Sequence, residues 1–589
     1  MIDSRRVSAA ARMCIFGLAM YGATDRVWAV DPTAPLATLE AYSGKLDESD
    51  QPVRDLIARY AQDEQFLRRQ QGPGGGAERL TEREVFGRRW LAALESLDFD
   101  ALTLDGRIDY VLLTNHLQRE LREVEHQRQR DEEVRDLLPF ADRVHQLERD
   151  RRQLSPIAAR DLAARVDGLA EELATLKGRI ESGELTASVS VAYRATQRLK
   201  DVRDELEGWY TFYAGYDPTF TWWVQRPYAR LTEAWNEYAE LVHAKLVLQG
   251  KLGSDPVVGD PIGREALLDA LKFEMIPYTP EELIEIAERE FAWCEAEYRR
   301  AAREMGHGDD WRAALEEVKR AHVEPGDQPR LIRELADEAV AFLDERELVT
   351  IPEMCKDGWR MEMMTAERQR VNPYFTGGEV ISISFPTAEM EHADKLMSLR
   401  GNNRHFARAT VHHELIPGHH LQLYMADRQR AYRQLFSTPF YVEGWALHWE
   451  MLLWDLDFAK SPEDRIGMLF WRSHRCARIL FSLQYHLGTM SADECIDFLV
   501  DRVGHERRNA TAEVRRSVEG SYSPLYQAAY MLGGLQLRSL YGDLVLRGNW
   551  TPRQFHDAVL AENMIPIEMI RARLLQSPPA RNFISAWRF

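Results

Sequence analysis

The order of hydrophobic and polar positions along the chain predicts a protein built almost entirely of helices. Helix starts recur as a hydroxyl residue placed three positions before an acid or an amide, an arrangement that caps the first helical turn. Four segments have this arrangement, headed by Thr279, Ser461, Ser491 and Thr551. Strand-like alternation hardly recurs along the chain. We therefore predict a mainly α fold with a small β element.

Two glycine- and proline-rich segments, residues 72–76 and 250–263, interrupt the helical pattern and predict flexible breaks. The chain has 589 residues, 45% of them hydrophobic, which is enough to bury a large core and to form more than one lobe. We predict an N-terminal helical lobe over residues 30–260 and a C-terminal helical lobe over residues 261–589. A deep cleft would separate the two lobes.

The first residues of the chain resemble a segment that is removed on export. Arg5 and Arg6 precede a moderately apolar stretch over residues 13–23, and residues 27–29 have the character of a small-residue cleavage site. We therefore predict a signal peptide over residues 1–29 and a periplasmic or secreted protein. If this segment is not a signal, the expectation is a cytoplasmic protein.

Charge and hydropathy narrow the classes of partner. The net charge of −19 argues against nucleic-acid binding, because phosphate neutralisation needs a basic surface. No run of about 18 apolar residues follows the N-terminal segment, so we expect no transmembrane span. Five cysteines are scattered without the paired spacing of a zinc cluster, and they neither require nor exclude a disulfide. The oligomeric state stays open.

Residues 411–422 contain four histidines and one glutamate in a pattern that is otherwise typical of a buried helix. Many zinc peptidases place two histidine ligands four residues apart on one helix, with a glutamate base directly after the first. Glu414 follows His413 in this way, but Pro417 occupies the position of the second histidine. The segment therefore predicts a metal site whose second histidine is displaced.

The next histidines, His419 and His420, lie six and seven residues after His413. A regular helix would hold them on another face or roughly 10 Å along the axis, too far for imidazoles that bind one zinc at about 2.0–2.1 Å. Pro417 and Gly418 allow the helix to be irregular. We predict a bulge that returns His419 to the metal. The alternatives are His420 as the ligand, or a helix that simply ends at the Pro-Gly pair.

A third ligand is expected from residues 441–450, which read YVEGWALHWE. Glu443 and Glu450 lie seven residues apart and can share one face of a helix. Their neighbours are mostly apolar, and a buried carboxylate needs a partner such as a cation. Either glutamate can therefore supply a metal ligand, unless both simply face water.

These segments resemble the large bacterial family catalogued as domain of unknown function 885. The resemblance covers most of the C-terminal third of the chain. It rests on HELIPGHHLQ at residues 413–422, VEGWALHWE at 442–450, SPLYQAAYMLGGLQLRSL at 523–540 and FHDAVLAENMIP at 555–566. The family is similar in design to gluzincin-type helical zinc peptidases such as thimet oligopeptidase.

The resemblance implies roles for several residues. His413, His419 and Glu443 are expected to bind one zinc ion. Glu414 is expected to act as the general base, and Tyr530 to donate a hydrogen bond to the oxyanion. Contacts with the substrate are expected from Tyr526, Arg478 and His486.

The activity expected from this set is the hydrolysis of short peptides, because a closed helical cleft excludes folded proteins. Zinc would polarise the scissile carbonyl and acidify a water molecule, while Glu414 takes the proton and passes it to the leaving amine. One good donor such as Tyr530 commonly stabilises an oxyanion by about 3–4 kcal/mol. Endopeptidase and exopeptidase activity both stay open at this stage.

The clearest strand signal is residues 380–385, in which β-branched and aromatic residues alternate with Ser382 and Ser384 after a glycine turn. An exposed edge strand beside the zinc site can pair with an extended peptide backbone, which would bring both serines to the substrate. A hairpin strand that covers the core fits the pattern equally well.

Two other classes of function fit parts of the sequence. A di-iron carboxylate bundle needs Glu-x-x-His pairs, and two exist, Glu123 with His126 and Glu389 with His392. The other class is a non-catalytic helical binding or scaffold protein. The retained histidine–glutamate pair in the zinc motif argues against this class, because an inactive site needs no acid beside its ligand.

Overall fold

Helices form most of the described chain, which confirms the predicted mainly α fold. The structure is a computed structural model, and it describes residues 52–72, 75–249, 256–369, 374–520 and 522–589. The predicted signal peptide lies outside the described residues. Residues 49–589 group as one compact unit, and the predicted lobe boundary at residue 260 stays a prediction.

The helices follow one another with short connections. In the first half, the α-helices are α1 (Pro52–Gln71), α2 (Ala77–Glu95), α3 (Leu104–Glu133), α4 (Ala141–Arg152), α5 (Ala159–Glu181), α6 (Val189–Tyr213), α7 (Pro218–Leu241) and α8 (Gly263–Phe273). A 3₁₀ turn occupies Phe99–Ala101, and a π-helical turn, Val242–Val247, extends α7.

The second half of the chain contains the predicted site. Its elements are α9 (Pro280–Glu304), α10 (Trp311–Arg320), α11 (Gln328–Glu345), α12 (Glu353–Gly358), β1 (Arg360–Met363), α13 (Ala366–Gln369), β2 (Val380–Ile383), α14 (His392–Gly401), α15 (Arg404–Glu414), α16 (His419–Ala426), α17 (Pro439–Asp455), α18 (Pro462–His486), α19 (Ala492–Phe498), α20 (Arg507–Val518), α21 (Tyr526–Tyr541), α22 (Pro552–Leu560) and α23 (Ile567–Leu574). A 3₁₀ turn lies at Ala431–Phe436, and π-helical turns lie at Leu499–Val503 and Gly542–Leu546.

All four predicted helix starts are confirmed. Thr279, Ser491 and Thr551 form complete capping boxes at the starts of α9, α19 and α22. The hydroxyl of Ser461 accepts a hydrogen bond from the backbone N–H of Asp464 at the start of α18. Because a capped first turn satisfies backbone donors that have no partner inside the helix, these residues fix where each helix begins.

The predicted β element is a two-stranded parallel sheet in which each residue of β1 lies opposite the residue 20 positions later in β2. Ile381 and Ile383 are buried in a cluster with residues of α11 and α15. The strand therefore covers the core, which was one of the two alternatives for this segment. The hairpin pairing is corrected, because the partner strand is parallel. A bridge from Thr376 to Ser382 occupies the other edge of β2, which leaves no free edge at Ser382.

Two glycines allow α17 and α21 to touch through their backbones. A Cβ atom added to Gly533 would lie 1.8 Å from the carbonyl oxygen of Phe440, and one added to Gly444 would lie 2.5 Å from the carbonyl carbon of Gly533. Only glycine leaves room for so close an approach. This contact sets the distance between Glu443 on α17 and Tyr526 on α21.

The described chain also bears on the hydropathy and the cysteines considered in the sequence. Among the described helices, none has both the length and the apolar character that a membrane crossing requires. Four described cysteines are buried and free of disulfides, Cys294, Cys355, Cys476 and Cys495.

We predict that Gly533→Ala destabilises the protein by about 1–3 kcal/mol or more, because the added methyl group forces two helix backbones apart. Gly178→Ala is the matched control, since its added methyl group meets no atom within 4 Å and alanine favours a helix by about 1 kcal/mol over glycine. Thermal unfolding compares the two variants. A Gly533→Ala protein as stable as the wild type would contradict the close packing.

Candidate metal centre

A break between two helices brings the histidines of residues 411–422 together. Helix α15 ends at Glu414, and Leu415 has a non-helical backbone with φ −106° and ψ −109°. Helix α16 begins at His419 after Gly418, where an added Cβ would lie 1.8 Å from the carbonyl oxygen of His413. The predicted bulge within one helix is therefore corrected to a tight, glycine-dependent turn between two helices.

Three potential metal ligands converge at this break. The Nε2 atom of His413 lies 3.6 Å from Oε2 of Glu443, and Nε2 of His419 lies 3.3 Å from the same oxygen. One ligand atom from each of the three residues lies within 4.8 Å of the others. Tetrahedral ligands about 2.0–2.2 Å from a zinc ion are separated by roughly 3.3–3.6 Å. The three side chains therefore have a spacing that fits zinc.

The other ring nitrogens of both histidines are in contact with polar side chains. Nδ1 of His413 lies 2.7 Å from Oε1 of Glu450, and Nδ1 of His419 lies 2.9 Å from Nε2 of Gln422. Gln422 also donates a hydrogen bond to the backbone oxygen of Val442. Both partners hold a ring in place with its Nε2 toward the common centre. Glu450 is an acceptor for the Nδ1–H of His413, as carboxylates are around metal-bound histidines, whereas the amide nitrogen of Gln422 is a donor to Nδ1 of His419.

Glu450 contacts His413 and lies outside the group of three converging side chains. Burial opposes its ionisation, but Arg475 and the hydrogen bond with His413 outweigh it and lower the pKa of Glu450 to about 2. Its position on the Nδ1 side of His413 places it behind the ring, away from Glu443. Of the two glutamates that the sequence left open, the structure brings Glu443 to the centre.

The charges of the three side chains are compatible with a cation between them. Burial disfavours a charged His413, yet its contacts with Glu443 and Glu450 outweigh burial and raise the pKa of His413 to about 9. Burial likewise opposes ionisation of Glu443, but His419 and His413 hold the pKa of this carboxyl well below its ordinary value. Oε2 of Glu443 has no hydrogen-bond partner among the described residues. A metal ion would replace the proton and give this oxygen a partner.

His420 does not reach the centre. Its Nε2 atom lies 2.8 Å from the backbone oxygen of Cys355, and burial lowers the pKa of His420. Of the two histidines that remained possible, the structure brings His419 to Glu443 and turns His420 toward α12.

The centre opens into a cavity of about 300 Å³. Glu414, the residue directly after His413, lines this cavity. The loop before β2 presses on it, because a Cβ added to Gly377 would lie 2.6 Å from Oε2 of Glu414. The glycine turn that marked the start of the strand in the sequence therefore leaves room for the expected general base.

Two tyrosines of α21 line the same cavity in different roles. The hydroxyl of Tyr526 donates a hydrogen bond to Oε1 of Glu443, so this residue positions a potential ligand. The ring of Tyr530 lies nearly parallel to that of His413, with 6.1 Å between centroids. Burial and the nearby Glu443 raise the pKa of Tyr530, which keeps its hydroxyl protonated as a hydrogen-bond donor.

The structure does not bring Ser382 and Ser384 to the cavity. The hydroxyl of Ser382 donates a hydrogen bond to Glu362 at 2.6 Å, and that of Ser384 donates one to Gln369 at 3.0 Å. Both serines lie on the face of β2 that is covered by residues 362–369. The predicted substrate contacts of these serines are therefore corrected, and the cavity is lined instead by the neighbouring Thr376 and Gly377.

Arg478 lines the cavity, whereas His486 lies elsewhere. The two residues are eight positions apart on α18, which corresponds to about 12 Å along the helix axis. His486 lines a second cavity of about 290 Å³ together with Arg194 and Asp260. The predicted substrate contact of His486 is therefore not supported at the metal centre.

The pairs expected for a di-iron bundle do not form a metal site among the described residues. His126 instead lies 2.9 Å from Asp269, and Glu123 pairs with Arg119.

A second group with ligand spacing comprises Glu64, His116 and Glu120. Arg68 and Arg83 pair with its two glutamates and supply their countercharge. A metal is therefore not needed to balance this group.

Several residues of the site were not identified from the sequence. Arg475 lies three residues before Arg478 on α18, so helical spacing alone places both on one face. Arg516 and Tyr522 come from α20 and the loop after it, and no motif links those segments to the histidines. The other residues that were missed as parts of the site are Gln422 and Trp471.

The comparison with family models identifies the chain. A model described as "Bacterial protein of unknown function (DUF885)" matches residues 69–574. The chain belongs to the DUF885 family. This match confirms the family resemblance of the C-terminal motifs and extends it over most of the protein.

Solved structures share the fold of this DUF885 protein. A candidate lipoprotein of unknown function from Shewanella oneidensis is 18% identical, with 88% of this chain and 99% of that chain covered and a TM-score of 0.65. A candidate lipoprotein from Colwellia psychrerythraea is 15% identical, with 90% and 99% covered and a TM-score of 0.57. At these identities, the likeness concerns the fold. No curated protein matches the sequence.

We predict that the protein binds one zinc ion per chain and that His419→Ala weakens binding by more than about 100-fold. Loss of a residue that only supports a metal-bound histidine lowers metal affinity by about 10–100-fold, so loss of a ligand should lower it further. Glu450 is such a supporting residue, and we expect Glu450→Gln to lower zinc affinity by about 10–100-fold. Equilibrium competition with a colorimetric zinc chelator measures each affinity.

His420→Ala is the matched control for this experiment, because its imidazole faces Cys355, and it should bind zinc like the wild type. Zinc binding that survives His419→Ala but is lost in His420→Ala would reverse the assignment.

Proposed function

We propose that this DUF885 protein is a zinc-dependent peptidase that hydrolyses short peptides. The observation that carries the proposal is the convergence of His413, His419 and Glu443 on one centre, with Glu414 lining the same cavity. A ligand set followed directly by an acid is the arrangement that metal-assisted peptide hydrolysis requires. The similarity of the sequence motifs to gluzincin-type helical oligopeptidases supports the same activity.

The three ligand candidates fit zinc in chemistry as well as in spacing. Two neutral imidazoles and one carboxylate are ligands that zinc prefers, and a catalytic site keeps a further position open for water or substrate. A zinc ion bound here supplies polarisation of the scissile carbonyl and a water molecule of lowered pKa. Tyr526, through its hydrogen bond to Glu443, keeps the carboxylate in place.

Protein side chains carry the proton transfers in this proposal. Glu414 accepts a proton from the attacking water and later delivers it to the leaving amine nitrogen. Tyr530, protonated at neutral pH, donates a hydrogen bond to the oxygen that gains negative charge. Gly377 leaves room for the Glu414 carboxylate at the cavity wall.

The cavity favours short peptides as substrates. Its volume of about 300 Å³ is small and its lining combines tyrosines with charged side chains, which suits a few residues of extended chain. The net charge of −19 makes nucleic acid an unsuitable partner. We also propose that the protein is exported, which the signal-like residues 1–29 and the descriptions of the two similar structures as candidate lipoproteins support.

We predict that Glu414→Gln retains zinc but lowers peptide turnover by about 10²–10⁴-fold, since an amide cannot accept the proton of the attacking water. Hydrolysis of a broad peptide library, with fragments identified by mass spectrometry, measures turnover. Chelation should abolish the wild-type activity, and added zinc should restore it. Glu353→Gln is the control, because this side chain is 85% exposed and should leave turnover unchanged.

Full activity in zinc-loaded Glu414→Gln would remove Glu414 as the base. A folded, zinc-loaded wild type that cleaves no peptide in the library would overturn the proposed activity itself and would favour a non-catalytic binding protein.

A further inference from the structure

We propose that Arg475 and Arg478 bind a carboxylate group of the substrate close to the bond that is cut. The inference rests on the proposed peptidase function and specifies the class of peptide that the site accepts. The carboxylate is either the C-terminus of the peptide or the side chain of an acidic residue beside the scissile bond.

The two arginines lie next to the expected catalytic groups. Both line the cavity of the metal centre. Their guanidinium carbons lie 4.7 and 4.5 Å from the centre of the Tyr530 ring, and that ring lies beside His413. The Tyr530 ring therefore lies beside His413 and beside both guanidinium groups.

The distances limit how far the carboxylate lies from the scissile bond. The path from the His413 ring to Arg478 has two steps, 6.1 Å to the Tyr530 ring and 4.5 Å onward to the guanidinium carbon. An extended peptide covers about 3.3–3.6 Å per residue, so about three residues at most reach from the metal centre to Arg478.

Each arginine has a hydrogen-bond donor without an acceptor among the described residues. The side chain of Arg478 is 3% exposed and its Nε donates to Glu513 at 2.7 Å, while Nη1 has no partner among the described residues. Arg475 contacts Glu450 through Nη2 at 3.3 Å, and its Nε has no partner within the described chain. Buried charged donors are normally paired, and a carboxylate is the acceptor that matches the guanidinium fork.

The charges around the cavity favour an anionic substrate group. Four carboxylates belong to the cavity and to the layer behind it, Glu414, Glu443, Glu450 and Glu513. Three guanidinium groups line the cavity, Arg475, Arg478 and Arg516. With a divalent zinc ion, positive charge exceeds negative charge by one. A substrate with one negative charge near the scissile bond balances this excess in a site where unpaired charge is costly.

The first test measures binding, so that it does not depend on catalysis. The probes are an N-acetylated alanine tetrapeptide with a free C-terminus, its carboxamide, and a carboxamide in which one alanine is replaced by glutamate. Their dissociation constants are measured by calorimetry on zinc-loaded Glu414→Gln. We expect at least one carboxylate-bearing peptide to bind about 10–100-fold more tightly than the neutral carboxamide.

The three probes separate the two sources of the carboxylate. Tighter binding of the free acid identifies the C-terminus, and thus an enzyme that trims peptides from that end. Tighter binding of the glutamate carboxamide identifies an acidic side chain. Equal binding of all three peptides overturns the proposal.

The second test assigns the effect to the arginines. Arg478→Met should reduce the preference for the carboxylate to less than about threefold while zinc content stays unchanged. Arg478→Lys should keep part of the preference, because it retains the charge without the bidentate fork. Arg465→Met is the control on the same helix, since this arginine pairs with Glu304 outside the cavity and should leave the preference intact.

If Arg478→Met does not fold, Arg478→Lys and Arg475→Lys decide the question. A full preference in both lysine variants overturns the proposal. A carboxylate preference in a protein that hydrolyses no peptide would contradict only the peptidase function, whereas hydrolysis without any preference would contradict only the role of the arginines.

Discussion

The structure of the site depends on one buried carboxylate. Glu443 is 3% exposed and faces the Nε2 atoms of His413 and His419, so three potential ligand atoms meet at one point. Such a group is costly to bury without a cation to balance it. The neighbouring residues fit this need for a cation. Glu450 contacts Nδ1 of His413 and Tyr526 donates to Oε1 of Glu443, which leaves Nε2 of His413 and Oε2 of Glu443 directed at a shared centre.

The packing of α17, α18 and α21 places the other residues of the cavity around Glu443. The backbone contact of Gly444 with Gly533 holds α17 against α21, and thus Glu443 against the two tyrosines of α21. Helix α18 packs against α21 and places its two arginines against the Tyr530 ring. The expected base, the expected oxyanion donor and the arginines proposed to bind a carboxylate therefore lie within a few residues' length of the candidate metal centre. A loosened α17–α21 contact would disturb all of them together.

The local sequence was sufficient to predict features that depend on neighbouring residues alone. The helix starts and the irregularity around Pro417 follow from capping and backbone rules, and the set of three converging side chains followed from family motifs. The form of the irregularity did not follow, because a bulge and a break satisfy the same backbone rules. Strand pairing also failed, since the alternation of Ser382 and Ser384 does not say which segment covers that face. His486 was wrongly assigned to the site because the sequence does not show how far the cavity extends along α18.

The most direct test of the account is the structure of zinc-loaded crystals with anomalous diffraction measured at the zinc absorption edge. The account predicts one zinc peak about 2.0–2.2 Å from Nε2 of His413, Nε2 of His419 and a carboxylate oxygen of Glu443. Glu414 would lie beside the open coordination position. A fully loaded crystal without a peak at this centre, or with zinc held by His420 or Glu450 instead, would contradict it.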